Sequence, residues 1–370
     1  MMKFFDTYTS NTTAGSGNQH IFHSDGEVRT GRVFYKITSG GEYKYSFLFS
    51  NITDSTYADG KLSHANLVCR PWTIHSARVG KCSGDTFGTD ITDADGINNA
   101  VGDFCNITFD GKSDKTVAPG EFFATDPVKL SFDAGDYLCF EMTYSGVLMP
   151  YHEESIIPIF AKTADGWVYD RKMPLPGMVG CDRKVCKKIV YLGDSITQGI
   201  GTENNSYTHW NAVLSEKIGC DGYSFWNMGI GFARAMDTAS DGAWLYKAKH
   251  CDIVVCCIGA NDILQNQPED QILRDVRKTV DYLARDGRTV VIQTMPPFEY
   301  APHHIPVWEK VCELIKTELA DKVAMVFDVG KAVGQPDVPH APIYGGHPNA
   351  EGCRIWGEKL YDAMKKNGIV

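Results

Sequence analysis

From residue 187 onward, short apolar runs alternate with stretches of helical period. Few folds accommodate that alternation. KKIVYLG (187–193), YSFWNMG (223–229), DIVVCCIG (252–259), RTVVIQTMP (288–296) and KVAMVFDVG (322–330) read as buried strands. Between them, residues 268–287 place Ile272, Val276, Val280 and Leu283 at three- to four-residue spacing, with Gly287 placed to end the helix. Residues 306–322 behave alike. Strands alternating with helices predict an α/β fold, a parallel sheet with helices on both faces in three layers.

The first 150 residues follow a different rule. GRVFYKI, YKYSFLFSN, NITFDG, DPVKLSFDA and DYLCFEMTY are short aromatic-rich or alternating runs separated by clusters of Gly, Asp, Ser and Asn. Repeated short strands with turn signals predict an all-β sandwich, jelly-roll-like in type. Residues 151–186 contain Pro158, Pro174 and Pro176 and no long period. The expected organisation is therefore an accessory sandwich at 1–150, a linker at 151–186 and an α/β domain at 187–370. The 370-residue length suits two domains.

In an open α/β sheet, ligands bind beyond the carboxyl ends of the strands. Four segments fall there: Gly193-Asp194-Ser195-Ile196-Thr197, Asn227-Met228-Gly229-Ile230-Gly231, Gly259-Ala260-Asn261-Asp262, and Gly345-Gly346-His347-Pro348-Asn349 before a final helix. The fold thus brings Ser, Gly, Asn and His to one edge. Ser195 alone could be an ordinary helix N-cap, and Asp194 could cap the same helix. Four such segments gathered at one edge favour a catalytic role for Ser195 over a plain cap.

These four blocks resemble the SGNH (GDSL-type) hydrolases, over roughly residues 187–370. The resemblance implies a serine esterase that needs no cofactor. Ser195 would be the nucleophile and His347 its base. The oxyanion donors would be the Ser195 N–H, the N–H of Gly231 (or Gly229) and the Asn261 amide. Small Gly259 would leave room beside Asn261. Two positions depart from the family pattern. The usual acid, three residues before the histidine, is Tyr344. Either Asp337 or Asp328 substitutes, or a backbone carbonyl orients His347 and a Ser–His dyad operates. The usual block-two glycine, five residues after Asn227, is Phe232.

The first half resembles, more loosely, the β-sandwich domains that precede GDSL-type esterases. The run carrying this is Asn106-Ile107-Thr108-Phe109-Asp110-Gly111, Ala118-Pro119-Gly120 and Thr125-Asp126-Pro127-Val128, with Phe49-Ser50-Asn51. A sandwich plus a hydrolase domain lacking the usual aspartate resembles two-domain carbohydrate esterases that remove acetyl groups. The expected substrate is a small-molecule or oligosaccharide ester with a short acyl group. The alternatives are a lysophospholipase or thioesterase with a longer acyl preference, and a carbohydrate-binding protein without catalysis. Trp72, Trp167 and Tyr151 could stack on sugars or fill a core.

A net charge of −10 argues against a nucleic-acid partner. No apolar stretch reaches the length of a membrane span. Without a secretory leader in the sequence as given, the expected location is cytoplasmic, with the 12 cysteines reduced. The sequons at Asn51 and Asn106 would matter only after secretion. Cys181 and Cys186 have loose zinc-ligand spacing, but no second pair supports them. Adjacent His303 and His304 are not expected to converge on one ion, and His20, His23 and His340 have no supporting spacing. Gly229-x-Gly231 fails the dinucleotide fingerprint at Arg234. Neither metal nor cofactor is expected, and nothing sets the oligomeric state.

Overall fold

A computed structural model of the chain describes residues 2–54, 57–58, 61–62, 66–87 and 91–370. Two compact units emerge. One comprises Met1–Val185, Asn204–Ser206 and Ser224–Trp226; the other comprises Cys186–Glu203, Tyr207–Tyr223 and Asn227–Val370.

The first unit is built on two antiparallel sheets. In one, Gly41–Ser50 pairs with Met178–Cys181, Phe122–Ala124 and Val128–Phe132. In the other, Tyr137–Gly146 lies between Arg29–Lys36 and Trp72–Cys82. Phe47 and Phe49 of the first sheet pack on Phe140 of the second, with ring centroids 4.8 and 5.8 Å apart. All three rings are at most 2% exposed. Aromatic residues at alternate positions thus fill the space between the sheets, as the period-two pattern requires.

One detail corrects the sequence reading and two add to it. The stretch 151–186 is not a linker. Ile159–Thr163, Gly166–Tyr169 and Met178–Cys181 are strands, the first paired with Arg29–Lys36 and the last with Gly41–Ser50. Trp72–Cys82 is the longest strand, yet His75, Ser76 and Lys81 on its outer face break up its apolar run. The Asn51 side chain is fully buried, giving its amide to the Arg70 and Ala118 carbonyls and accepting from Trp72 Nε1. That side chain is structural in the folded unit.

The second unit runs β1 (Lys187–Gly193), α1 (Ser195–Gln198), α2 (Trp210–Ile218), β2 (Tyr223–Gly229), α3 (Ala235–Ala239), α4 (Ala243–Ala248), β3 (Ile253–Cys257), α5 (Ala260–Leu264), α6 (Glu269–Arg285), β4 (Thr289–Gln293), α7 (Ile305–Glu318), β5 (Met325–Phe327), α8 (Val329–Val333), a hairpin of β6 (Gly334–Gln335) and β7 (Val338–Pro342), and α9 (Ala350–Lys366). The sheet order is β2-β1-β3-β4-β5. β3 pairs in parallel with β1 and β4, and β4 with β5. Helix α6 buries Ile272, Val276, Val280 and Leu283 completely. The chain passes from β1 to one neighbour and then crosses to the other, so the order reverses at β1. This switch point is where such sheets open a crevice at their carboxyl edge.

Candidate active site

Ser195 lies one residue beyond β1, at the first position of α1. Asp194 caps that helix, its Oδ1 accepting from Ile196 N at 3.0 Å. Asp194 therefore fixes the turn that presents the serine. As the first helical residue, Ser195 has an N–H with no intrahelical partner.

His347 is delivered from the other end of the unit. Asn349 caps α9, accepting from Gly352 N at 2.9 Å. Helix α9 is held by Trp356, whose Nε1 donates to Gln293 Oε1 of β4 at 2.8 Å and whose ring stacks on Trp210 of α2 at 5.2 Å. The loop before α9 then sets His347 Nε2 2.9 Å from Ser195 Oγ. Ser195 is 7% exposed and His347 is half-buried. Burial holds the imidazole below its ordinary pKa of 6.5. It is therefore neutral near pH 7, the state in which a nitrogen lone pair can take a proton.

The second and third blocks are tied together. Ile230 N donates to Gly193 O, and Ala233 N to Ile230 O at 3.3 Å, closing a turn with Gly231 and Phe232 at its corners. Phe232 has φ +61°, the left-handed region that glycine favours. Phe232, a non-glycine residue, thus adopts a glycine-like backbone at the corner of this turn. Asn261, in the first turn of α5, gives one amide hydrogen to Ala233 O at 2.9 Å, which leaves the second free. Asp262 accepts from Ala235 N at 2.9 Å. It is 2% exposed, and burial lifts its carboxyl to a pKa of about 7.

Other expected residues lie differently. Gly229 N is occupied by Asn227 Oδ1 at 2.9 Å, and a side chain on Gly229 would collide with Gln198 N. It serves close strand–helix packing and has no amide to spare, so Gly231 is the better donor. Gly259 has φ +123° and faces Met295, so it shapes the entry to α5 and does not clear space at Asn261. Asp328 caps α8 through Lys331 N and pairs with Lys316, and among the described residues no hydrogen bond joins it to His347. Asp337 sits in the exposed two-residue turn of the β6–β7 hairpin. Tyr344 is a packing residue, its ring against Gly352 and its hydroxyl 3.5 Å from Pro297 O.

Two residues that the motifs did not single out complete the site. Gly201 (φ +99°) is where the chain passes beneath His347. Phe298, in the loop after β4, sets its ring edge-on to the imidazole at 5.1 Å. Its signal in the sequence is slight, a Pro-Pro-Phe-Glu turn after a strand. His303 and His304 both meet one side-chain oxygen, their Nε2 atoms 3.1 and 3.2 Å from Asn266 Oδ1. Among the described residues, no group of three or more His, Cys, Asp or Glu side chains forms a metal site, and every cysteine is a free thiol. Trp72, Trp167 and Tyr151 are at most 9% exposed and offer no open stacking platform. No helix among the described residues is long and apolar enough to cross a membrane.

Residues 191–355 match the family model described as GDSL-like lipase/acylhydrolase. No curated protein sequence matches the chain. Among solved structures, a family two carbohydrate esterase from Clostridium thermocellum in complex with cellohexaose shares 13% identity over 98% of this chain and 99% of its own, at a TM-score of 0.41. A member of the lipolytic protein G-D-S-L family from Veillonella parvula DSM 2008 shares 19% identity over 48% of this chain and 98% of its own, at 0.39. The acetyl xylan esterase AlAXEase shares 20% over the same fractions, also at 0.39. At such scores the family match, and not these structures, carries the assignment.

Proposed function

We propose, for a chain that carries a domain of the GDSL-like lipase/acylhydrolase family over residues 191–355, that Ser195 and His347 hydrolyse esters through an acyl-enzyme. The observation that carries this reading is the 2.9 Å approach of Ser195 Oγ to His347 Nε2.

His347 Nε2 takes the hydroxyl proton as Ser195 Oγ attacks the ester carbonyl. The developing oxyanion is met by the N–H of Ser195, the N–H of Gly231 and the free amide hydrogen of Asn261. These donors are fixed before reaction, so they stabilise charge without reorganising. As the tetrahedral species collapses, the imidazolium returns its proton to the leaving alcohol. A water molecule, deprotonated by the same nitrogen, then releases the acyl group and restores Ser195.

The preferred substrate is a short acyl group, such as acetyl, on a carbohydrate. What supports this is the pairing of an antiparallel sandwich unit with the hydrolase unit in one chain. The test is turnover on p-nitrophenyl esters of increasing acyl length, followed by acetate release from an acetylated oligosaccharide. The reading expects the acetyl ester to be favoured. A preference for eight carbons or more would support a lysophospholipase-like or thioesterase-like enzyme instead. No turnover at any length, with no reaction toward a fluorophosphonate, would favour a carbohydrate-binding role.

A further inference from the structure

A serine–histidine pair works as a base only while the imidazole proton stays on Nδ1 and the Nε2 lone pair faces the serine. The group that holds that proton is missing from its usual place. Tyr344 occupies the position and is committed to packing. Asp328 is engaged by Lys316 and Lys331, and Asp337 stands at an exposed turn. Among the described residues His347 forms one hydrogen bond, through Nε2, and its Nδ1 forms none.

The loop after β4 runs alongside the histidine loop. Pro297 O receives Tyr344 Oη, and Phe298 meets the His347 ring edge-on. The next residue is Glu299. Its carboxylate lies against the two glycines just before His347. A Cβ built on Gly346 would stand 3.5 Å from Oε2, and one on Gly345 would stand 3.8 Å from Oε1. Neither glycine has a side chain to fill this space. Glu299 is exposed and forms no hydrogen bond or ion pair among the described residues. It is an uncommitted carboxylate on a flexible stem, one residue from the ring that contacts His347.

We propose that Glu299 is the positioning acid of this site, reaching across Gly345 and Gly346 to accept the Nδ1–H of His347 once substrate covers the cleft. The inference rests on the serine-esterase reading of Ser195 and His347. Glu299 would act through the imidazole, holding its tautomer and stabilising the imidazolium that forms as Ser195 attacks. It needs no proton of its own, so the acid–base cycle of the reaction is unchanged.

The experiment compares wild type, Glu299→Gln, Glu299→Asp and Ser195→Ala in kcat–pH profiles on a short-chain ester, with the thermal midpoint of each. Glu299→Gln should lower kcat by about 10²-fold, less than the ~10⁴-fold loss known for a buried triad acid. It should also move the acid limb of kcat, which reports the enzyme–substrate complex, to lower pH, because an adjacent carboxylate favours the imidazolium. Glu299→Asp should recover part of both. A Glu299→Gln enzyme within threefold of wild type overturns the proposal, and so does a loss of turnover that leaves the acid limb in place. Either result with Ser195→Ala inactive leaves the serine-esterase reading intact. An active Ser195→Ala would overturn that reading itself.

Discussion

Gly201 and His347 approach so closely that a methyl group on Gly201 would meet His347 Cβ at 2.8 Å and Pro348 O at 2.5 Å. The glycine also holds φ +99°, a conformation that side chains oppose. The loop after the nucleophile helix is therefore shaped around the base, although 146 residues separate the two in sequence. Gly201→Ala should push His347 away from Ser195. A displacement near 1 Å is expected to cost about 10²-fold in kcat. Steady-state kinetics beside a thermal melt tests this, because a general loss of fold would lower the midpoint in proportion.

The pH profile follows from the burial of His347. Its pKa lies below 6.5, and the proposed mechanism uses the neutral form. The acid limb of kcat/KM should therefore fall below pH 6.5, with activity retained in mildly acidic buffer. A limb at or above 6.5 would mean that the imidazole is more solvated or faces an acid before substrate binds.

On the proposed mechanism, Asn261→Ala removes one oxyanion donor along with the bond to Ala233 O. The expected loss is about 2.7–4 kcal/mol of transition-state stabilisation, or ~10²–10³ in kcat. KM should move little, because the interaction strengthens only as charge develops on the carbonyl oxygen.

The Ile230–Ala233 turn gives a contrast between two substitutions. Phe232 holds φ +61°. Glycine adopts that conformation freely, whereas a β-branched residue resists it. Phe232→Gly should keep the turn and most of the turnover, while Phe232→Val should distort the Gly231 amide and lose it. Parallel kcat measurements decide. Equal losses in both would assign the effect to the phenyl ring.

Asp262 gives a stability test. Its folded pKa of about 7 lies above the ordinary 3.8, so the folded chain keeps the proton where the unfolded chain has released it. By linkage, this side chain's contribution to stability is complete below the unfolded pKa and is lost as pH rises toward 7. Asp262→Asn can still accept from Ala235 N but does not titrate. Between pH 5 and pH 8, denaturant unfolding of wild type should lose stability relative to the variant. A constant difference between the two would show that Asp262 stays charged throughout.

The α/β unit was largely legible in the sequence. The central strands β1, β3 and β4 are nearly continuous apolar runs, and the four site segments follow strands or precede the last helix, so motif and topology agree. The short β6–β7 hairpin gave no such signal. Strands of the sandwich unit were harder. Ile159–Thr163 and Met178–Cys181 are short and lie among prolines, and their strand character comes from pairing with Arg29–Lys36 and Gly41–Ser50, more than 100 residues away. Such register is a tertiary property with no local period. At the site, Ser195, Asn261 and His347 stand in recognisable motifs. Glu299 does not: it belongs to an irregular loop, and only the packing of that loop on Gly345 and Gly346 brings it into view. Phe232 shows the reverse case, a departure from the motif whose residue takes a glycine-like φ of +61°.

The central claim is that Ser195 is a nucleophile activated by His347. Fluorophosphonate labelling read by intact mass and peptide mapping tests it most directly. The account predicts one adduct per chain at Ser195, no adduct on Ser195→Ala, and a much slower reaction for His347→Ala. An adduct elsewhere, or equal labelling of wild type and Ser195→Ala, would contradict it.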